Sequence, residues 1–458
     1  MKLVRLFVTL LAALAMVACG EKEPVVNPDN QGGAPDGALV PPSGVAIVEG
    51  TLSTTSVTIK WEAVQGAVGY KYVLQKGAMR VKSEQTTATE VAFTELEKQT
   101  EYRFYVYALA EGDKGNSNSS EVLNFRTLSK EPSASGLPMP NLVVDAKGSG
   151  DFTTVKAAIA AIPSTFEGKF IIHIKAGTYK EKLLLRQNNV VLVGDGADKT
   201  ILTWDDCQGT YTGSTESDER NRRSYTLRTE GEGVVVQDLT VENTHQNNTG
   251  SGDQAMAVEV YKGSISFFDC NITGYQDTFL GRNNNVYVYV KNSLVEGNVD
   301  FIYGNSVMVF DRCQINVNRD GAAITAPSTS AAAAYGITFL DCDVTADEVG
   351  FNGKTITNIY LGRAWKDAAK SVWVRCKMPK TLNPAGWMEN MNTSVQDDKK
   401  IFAEWGCTYA ESGDGDLTKR QHGGRALTDA EAADYTLEKI FAPVSDLAAF
   451  TTKMQIEL

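Results

Sequence analysis

Histidine is scarce in this 458-residue chain, which has only His173, His245 and His422. Gly-x-Ser-x-Gly does not occur at all. A Ser-His-Asp hydrolase of the α/β type therefore lacks its nucleophile turn and has few candidate bases. Among the seven cysteines no Cys-x-x-Cys is found, and no histidine stands close enough along the chain to suggest a zinc site. Neither a metal nor a cofactor is expected, and the six cysteines beyond Cys19 are expected to be mostly buried free thiols. Gly148-Ser149-Gly150 lacks the Lys-Ser or third glycine of a phosphate loop, which argues against nucleotides. Positive charge is short as well: 44 Lys and Arg stand against 56 Asp and Glu, a net charge of −12 with no basic stripe. Nucleic acid is thereby excluded as a partner. After the N-terminal region no run approaches the roughly 20 apolar residues that a membrane helix needs.

What is present begins with an export pattern over residues 1–18. Lys2 and Arg5 precede an apolar run from Leu6 to Ala18 that is short for a bilayer span. Met16-Val17-Ala18-Cys19-Gly20 resembles a bacterial lipoprotein box, with Met16 in place of the usual Leu. The resemblance implies lipidation of Cys19 and an outer-membrane anchor on the periplasmic or cell-surface face, with membrane contact through lipid alone. Simple secretion is the alternative. Residues 19–40, rich in Pro, Gly, Asn and Asp, read as a flexible tether.

From 41 to 128 short runs alternate in polarity: Val57-Ile59-Trp61, Tyr70-Tyr72-Leu74 and Tyr102-Phe104-Val106-Ala108. Strands at such intervals suggest a sandwich. Trp61, Tyr70, Leu96 and the segment around Tyr102 resemble a fibronectin type III domain, with Tyr102 at the tyrosine-corner position. Its aromatics suit a core, and a sugar-binding platform is the alternative. A second linker spans 129–139.

Residues 140–458 repeat loosely. Segments starting at Val234, Ile265, Val288, Val307 and Ile337 each alternate, turn at Asp or Asn, and alternate again. Spacings of roughly 20 to 35 residues suit coils of a right-handed parallel β-helix, each burying its inner face by stacking on its neighbours. The whole chain is thus expected to be all-β. Cys270, Cys313 and Cys342 fall at the recurring corner, where small thiols pack well. Ala157–Ile162 looks like a helix capping the first coil, and His173 and His245 read as a structural residue and a surface residue.

Two neighbouring repeats carry the chemical signal. Their alignment places Gly274-Tyr275-Gln276-Asp277 on Gly297-Asn298-Val299-Asp300, both Gly-x-x-Asp. On adjacent coils the two carboxylates would lie about 4.8 Å apart. At that distance they share a proton, one acting as acid and the other as base or nucleophile. A pair of solvated turn aspartates would show the same spacing.

The surrounding motifs resemble the pectin methylesterase family. They are Gly148-Ser149-Gly150-Asp151-Phe152, Gly177-Thr178-Tyr179, Gln254-Ala255-Met256-Ala257-Val258, Gly274 to Phe279, Gly297 to Gly304, and Leu361-Gly362-Arg363-Ala364-Trp365, where Ala364 replaces the usual Pro. The resemblance implies hydrolysis of methyl esters on pectin homogalacturonan by a monomer. Asp300 would be the nucleophile and Asp277 the general acid and base. Gln254 and Gln276 would be oxyanion donors, with Arg363 orienting Asp300. Trp365 would bind sugar, together with Tyr275, Phe301 and Tyr303. Another β-helical pectin enzyme, lyase or glycosidase, and an inactive polysaccharide-binding relative are the competing readings.

Overall fold

Runs that alternate with a period of two can bury one face only by pairing, and they pair in two different ways in the two halves of the chain. The structure, a computed structural model, describes residues 38–48, 51–113, 115–128, 137–209, 224–247, 252–410 and 415–458. The expected export signal, Cys19, most of the tether and most of the second linker lie outside the described residues. The chain divides into two compact units, one up to Gly136 and one from Leu137 onward. No helix among the described residues is long and apolar enough to cross a membrane.

In the first unit the pairing is antiparallel. Ala46–Ile47, Val57–Lys60 and Glu90–Phe93 form one sheet; Met79–Thr86, Gly69–Lys76, Glu101–Leu109 and Leu123–Arg126 form the other. Trp61, Tyr70, Tyr72 and Phe104 are buried between them, so these aromatics are core rather than an exposed platform. The Tyr102 hydroxyl accepts a hydrogen bond from the Glu97 N–H at 2.9 Å, which closes the tyrosine corner.

The second unit is a parallel β-helix with three sheets of nine, seven and eleven strands among the described residues. In the largest, Val234–Gln237, Ser264–Phe268, Tyr287–Lys291, Val307–Asp311 and Ile337–Leu340 stack in parallel and in sequence order. The chain then turns at one residue per coil in the left-handed conformation: Asp238, Asp269, Asn292, Arg312, Asp341 and Arg375, with φ between 49° and 56°. Asp and Asn tolerate that region because their short polar side chains bond locally. In the coil of Val307 the corner falls one residue later than the Asp-Cys pattern suggests, because Asp311 stays in the strand and Arg312 turns. The next residue points inward and is buried, which accounts for Cys270, Cys313, Cys342 and Cys376. No disulfide joins the six described cysteines, and all are buried except the half-buried Cys407.

The cap helix is Val155–Ala160, two residues earlier than its alanines suggest. Its first-turn amides fix the start. The Thr154 side chain accepts from Ala157 N–H, and the Glu181 carboxylate accepts from Val155 and Lys156 N–H. At the other end, short helices Leu437–Ile440 and Leu447–Thr451 bring Ile440, Phe441 and Phe450 onto the outer face of the eleven-stranded sheet. That face is apolar at Val191, Val193, Val235 and Tyr289, which explains strands buried on both sides.

Candidate active site

The seven-stranded sheet sets the register of the site. Phe279 pairs with Ile302, Leu280 with Tyr303 and Gly281 with Gly304. Two residues upstream, Asp277 therefore sits over Asp300 on the next coil, and the Asp277 N–H donates to Val299 C=O at 3.1 Å. Both aspartates have left-handed backbones, with φ of 66° and 53°. The glycine opening each Gly-x-x-Asp is dictated by close approach. A Cβ on Gly297 would lie 2.4 Å from the Cβ of Phe301, and one on Gly274 would lie 2.8 Å from Thr278 Oγ1. Beneath this corner the buried Asn298 amide donates to Asn247 and Asn318 side chains, and Asn318 donates to Gly274 C=O at 3.0 Å. These bonds hold adjacent coils in line.

Arg363 reaches the pair from two coils further on, since Ile302 pairs with Thr325 and Thr325 with Gly362. Its Nε and Nη2 donate to the two oxygens of Asp300 at 2.8 and 2.7 Å. Such a fork-to-fork contact fixes the carboxylate plane and favours its anion. Burial raises the Asp300 pKa and Arg363 opposes the rise. Burial and then the charge of Asp300 push the Asp277 carboxyl well above the usual range, while a hydrogen bond from the Tyr303 hydroxyl and the charge of Arg363 only partly offset them. With two close carboxylates and one guanidinium bound to Asp300, the remaining proton resides on Asp277.

Gln208, Gln254, Gln276, Asp277, Leu280, Arg282, Asp300, Tyr303, Ala326, Arg363, Trp365 and Met391 line one cleft of about 340 Å³. That is enough for a small ligand or a short stretch of polymer. Gln254 stands one coil before Gln276, fixed by the Ala255 N–H to Gln276 C=O bond at 3.0 Å. Both amides are thus on the wall beside the carboxylates. Trp365 is half-buried with its ring 5.9 Å from that of Tyr303, leaving part of its surface to the cleft. Arg282 is held at the rim by the buried Glu259 at 2.6 Å, which is also paired with the fully buried Arg228.

Residues 141–442 match the family model described as pectinesterase, and residues 40–126 match that for a fibronectin type III domain. The chain belongs to the pectinesterase family. Pectinesterase 2 of Citrus sinensis is 32% identical over 320 residues, covering 68% of this chain and 59% of that protein. Pectinesterase 2 of Arabidopsis thaliana is 35% identical over 298 residues, covering 63% and 48%. The pectin methylesterase from carrot is 29% identical with a TM-score of 0.59, covering 70% of this chain and 98% of that one. The pectin methylesterase from Yersinia enterocolitica, 23% identical, has the same fold with a TM-score of 0.55, covering 64% and 100%.

Of the residues expected from the pectinesterase motifs, the fold gathers Asp277, Asp300, Gln254, Gln276, Arg363, Trp365 and Tyr303 in the cleft. Tyr303 acts there through its hydroxyl on Asp277 more than through its ring. One expectation is corrected. Phe301 is fully buried in the core of the coil, because the chain turns inward after Asp300, and cannot touch a sugar. Tyr275 lies beside the cleft and outside its lining, packed edge-on to Phe351 at 5.0 Å. His245 is also more than a surface group: it is half-buried, with Nε2 2.9 Å from Asp253. His173 is buried against Asp195 at 2.7 Å, as a structural residue would be. Gln208, Arg282, Leu280 and Met391 were not foreseen. Only Arg282 had a signal, as a cation directly following the Phe279–Gly281 strand of the Asp277 coil.

Proposed function

We propose that this protein hydrolyses the methyl esters of pectin homogalacturonan, releasing methanol and leaving free carboxylates. One observation carries the proposal: Asp277, whose ionisation is opposed by burial and by the charge of Asp300, stands over a carboxylate clamped by Arg363, in a cleft that also contains two amides and an indole face. Asp300 attacks the ester carbonyl carbon. Amide N–H groups of Gln254 and Gln276 stabilise the oxyanion of the tetrahedral intermediate. As this collapses, Asp277 gives its proton to the methoxy oxygen and methanol leaves, with the acyl group on Asp300. Water then gives a proton back to Asp277 and attacks the acyl carbon, freeing Asp300 and the uronate. Trp365 offers its face to a sugar ring, and Arg282 puts a cation at the rim where a free uronate carboxylate can pair.

The test is incubation with methylated pectin, reading methanol, chain length and unsaturated uronate together. Methanol with unchanged chain length and no unsaturated product supports the esterase. Shortened or unsaturated chains would instead mark a glycosidase or lyase, and binding without any product an inactive relative. The sequence pattern around Cys19 supports export with a lipid anchor; the protein acts as a monomer, and the fibronectin-like unit, whose aromatics are buried in its own core, is a spacer. Palmitate labelling lost in Cys19→Ser, and light scattering of the unlipidated protein, check the anchor and the monomer.

A further inference from the structure

Three side chains of different chemistry converge on the flank of the cleft. The ligand atoms of Cys207, His245 and Asp253 all lie within 4.8 Å of one another. Cys207 is distant in sequence from the other two, which are eight residues apart, and the stacked coils bring it to them. Cys207 follows the strand Thr200–Trp204, and His245 follows the adjacent parallel strand Thr240–Asn243. Asp253 precedes the next coil. The backbones carrying them are pinned: Gln208 N–H donates to Gln254 C=O at 2.8 Å, Gly209 N–H to Gly252 C=O at 2.7 Å, and Thr244 N–H to Trp204 C=O at 2.9 Å. His245 N–H donates to Asn243 Oδ1 at 3.0 Å.

We propose that Cys207, His245 and Asp253 form an accessory zinc site. A thiolate, an imidazole and a carboxylate together suit a borderline ion such as Zn²⁺ better than calcium or magnesium, which favour oxygen ligands alone. Three protein ligands leave a fourth tetrahedral position to solvent. Zinc bonds of about 2.0–2.3 Å put tetrahedral ligands roughly 3.3–3.7 Å apart. The His245–Asp253 contact at 2.9 Å therefore has to open slightly, and the other pairs, all within 4.8 Å, have to close by no more than about an ångström, which side-chain torsions supply. Cys207 and Asp253 are buried, while His245 is half-buried and gives an ion a route in from solvent. On binding, zinc takes the position between imidazole and carboxylate. The thiol gives up its proton to solvent, and the proton that Nε2 donates to Asp253 in the ion-free site passes to Nδ1 by exchange with solvent, so affinity falls as pH falls.

Gln208 and Gln254, the residues that directly follow Cys207 and Asp253, both line the catalytic cleft. The ion is thus a clamp on the wall carrying an oxyanion donor, and it takes no part in the bond-making steps.

The experiment uses the full chain, stripped with a chelator and dialysed, then titrated with Zn²⁺ and separately with Co²⁺. One equivalent is expected, with a sulfur-to-cobalt charge-transfer band in the near ultraviolet and a zinc-dependent rise in Tm. His245→Gln keeps a polar group beside Asp253, and Cys207→Ser is nearly isosteric; each is expected to lose the band and to weaken zinc at least about tenfold. Far-ultraviolet circular dichroism shows whether each variant is folded. Absence of stoichiometric binding by the wild type, or wild-type binding by folded His245→Gln, would overturn the site. Because the readout is metal binding without pectin, this result is separable from the fate of the esterase proposal.

Discussion

Asp269 and Asp341 turn one corner of the β-helix with φ of 52° and 55°, and Asp277 and Asp300 turn another with 66° and 53°. The backbone is nearly the same in both places. The surroundings are not. Asp269 and Asp341 have side chains 39% and 43% exposed, and each faces a cation: Lys453, which Asp269 shares with Asp238, and Arg375. Asp277 and Asp300 share a cleft in which burial raises both, with one guanidinium bound to Asp300. A left-handed aspartate is therefore an ordinary device for turning this solenoid. Stacking two of them out of water, with too few cations, converts the device into an acid beside a nucleophile.

The comparison breaks most visibly by substitution at the two corners. Asp300→Asn is expected to lower methanol release at least about 10³-fold by removing the nucleophile, with the fold retained by circular dichroism, whereas Asp341→Asn leaves the rate unchanged. Gln254→Leu and Gln276→Leu are each expected to lower kcat by about 10²–10³-fold with little change in KM, because their donors act on charge that appears only in the transition state. Steady-state kinetics on pectin of fixed methylation separates the two constants.

Proton bookkeeping sharpens the contrast further. Unfolded, Asp277 ionises near the ordinary 3.8; folded, it does so well above that value. Between the two, the native state keeps a proton that the unfolded chain has released, so stability falls as pH rises through this window and stays lowered above it. Asp277→Asn removes that slope, and denaturant melts are expected to find it more stable than the wild type at the upper end. Activity should rise on the acid side as Asp300 ionises and fall on the alkaline side as Asp277 loses its proton. The Tyr303 hydroxyl favours the Asp277 anion, so Tyr303→Phe moves the alkaline limb of the profile upward while changing the optimum rate less than about tenfold. The smallest effect belongs to the exposed corner: Asp341→Asn costs less than about 1 kcal/mol in a urea melt, because its pairing with Arg375 is open to solvent.

Much of this was legible in the amino-acid order because it repeats. The Asp-Cys corner and the doubled Gly-x-x-Asp each mark a fixed place on the coil, so their spacing carries the register. Phe301 was misread because parity breaks at a corner: a residue beside Asp300 in sequence turns into the core. The Tyr303 hydroxyl bond, the Arg228–Glu259–Arg282 chain and the meeting of Cys207, His245 and Asp253 leave no trace in local pattern. Each joins separate stretches of the chain and exists only once the coils are stacked.

Selective labelling of aspartate carboxyl carbons, followed by nuclear magnetic resonance across the pH range, reads the central claim most directly. Asp277 is predicted to keep its proton well above the usual aspartate range, and to lose that elevation in part when Asp300 is changed to Asn. An Asp277 resonance that titrates in the usual aspartate range would contradict the account.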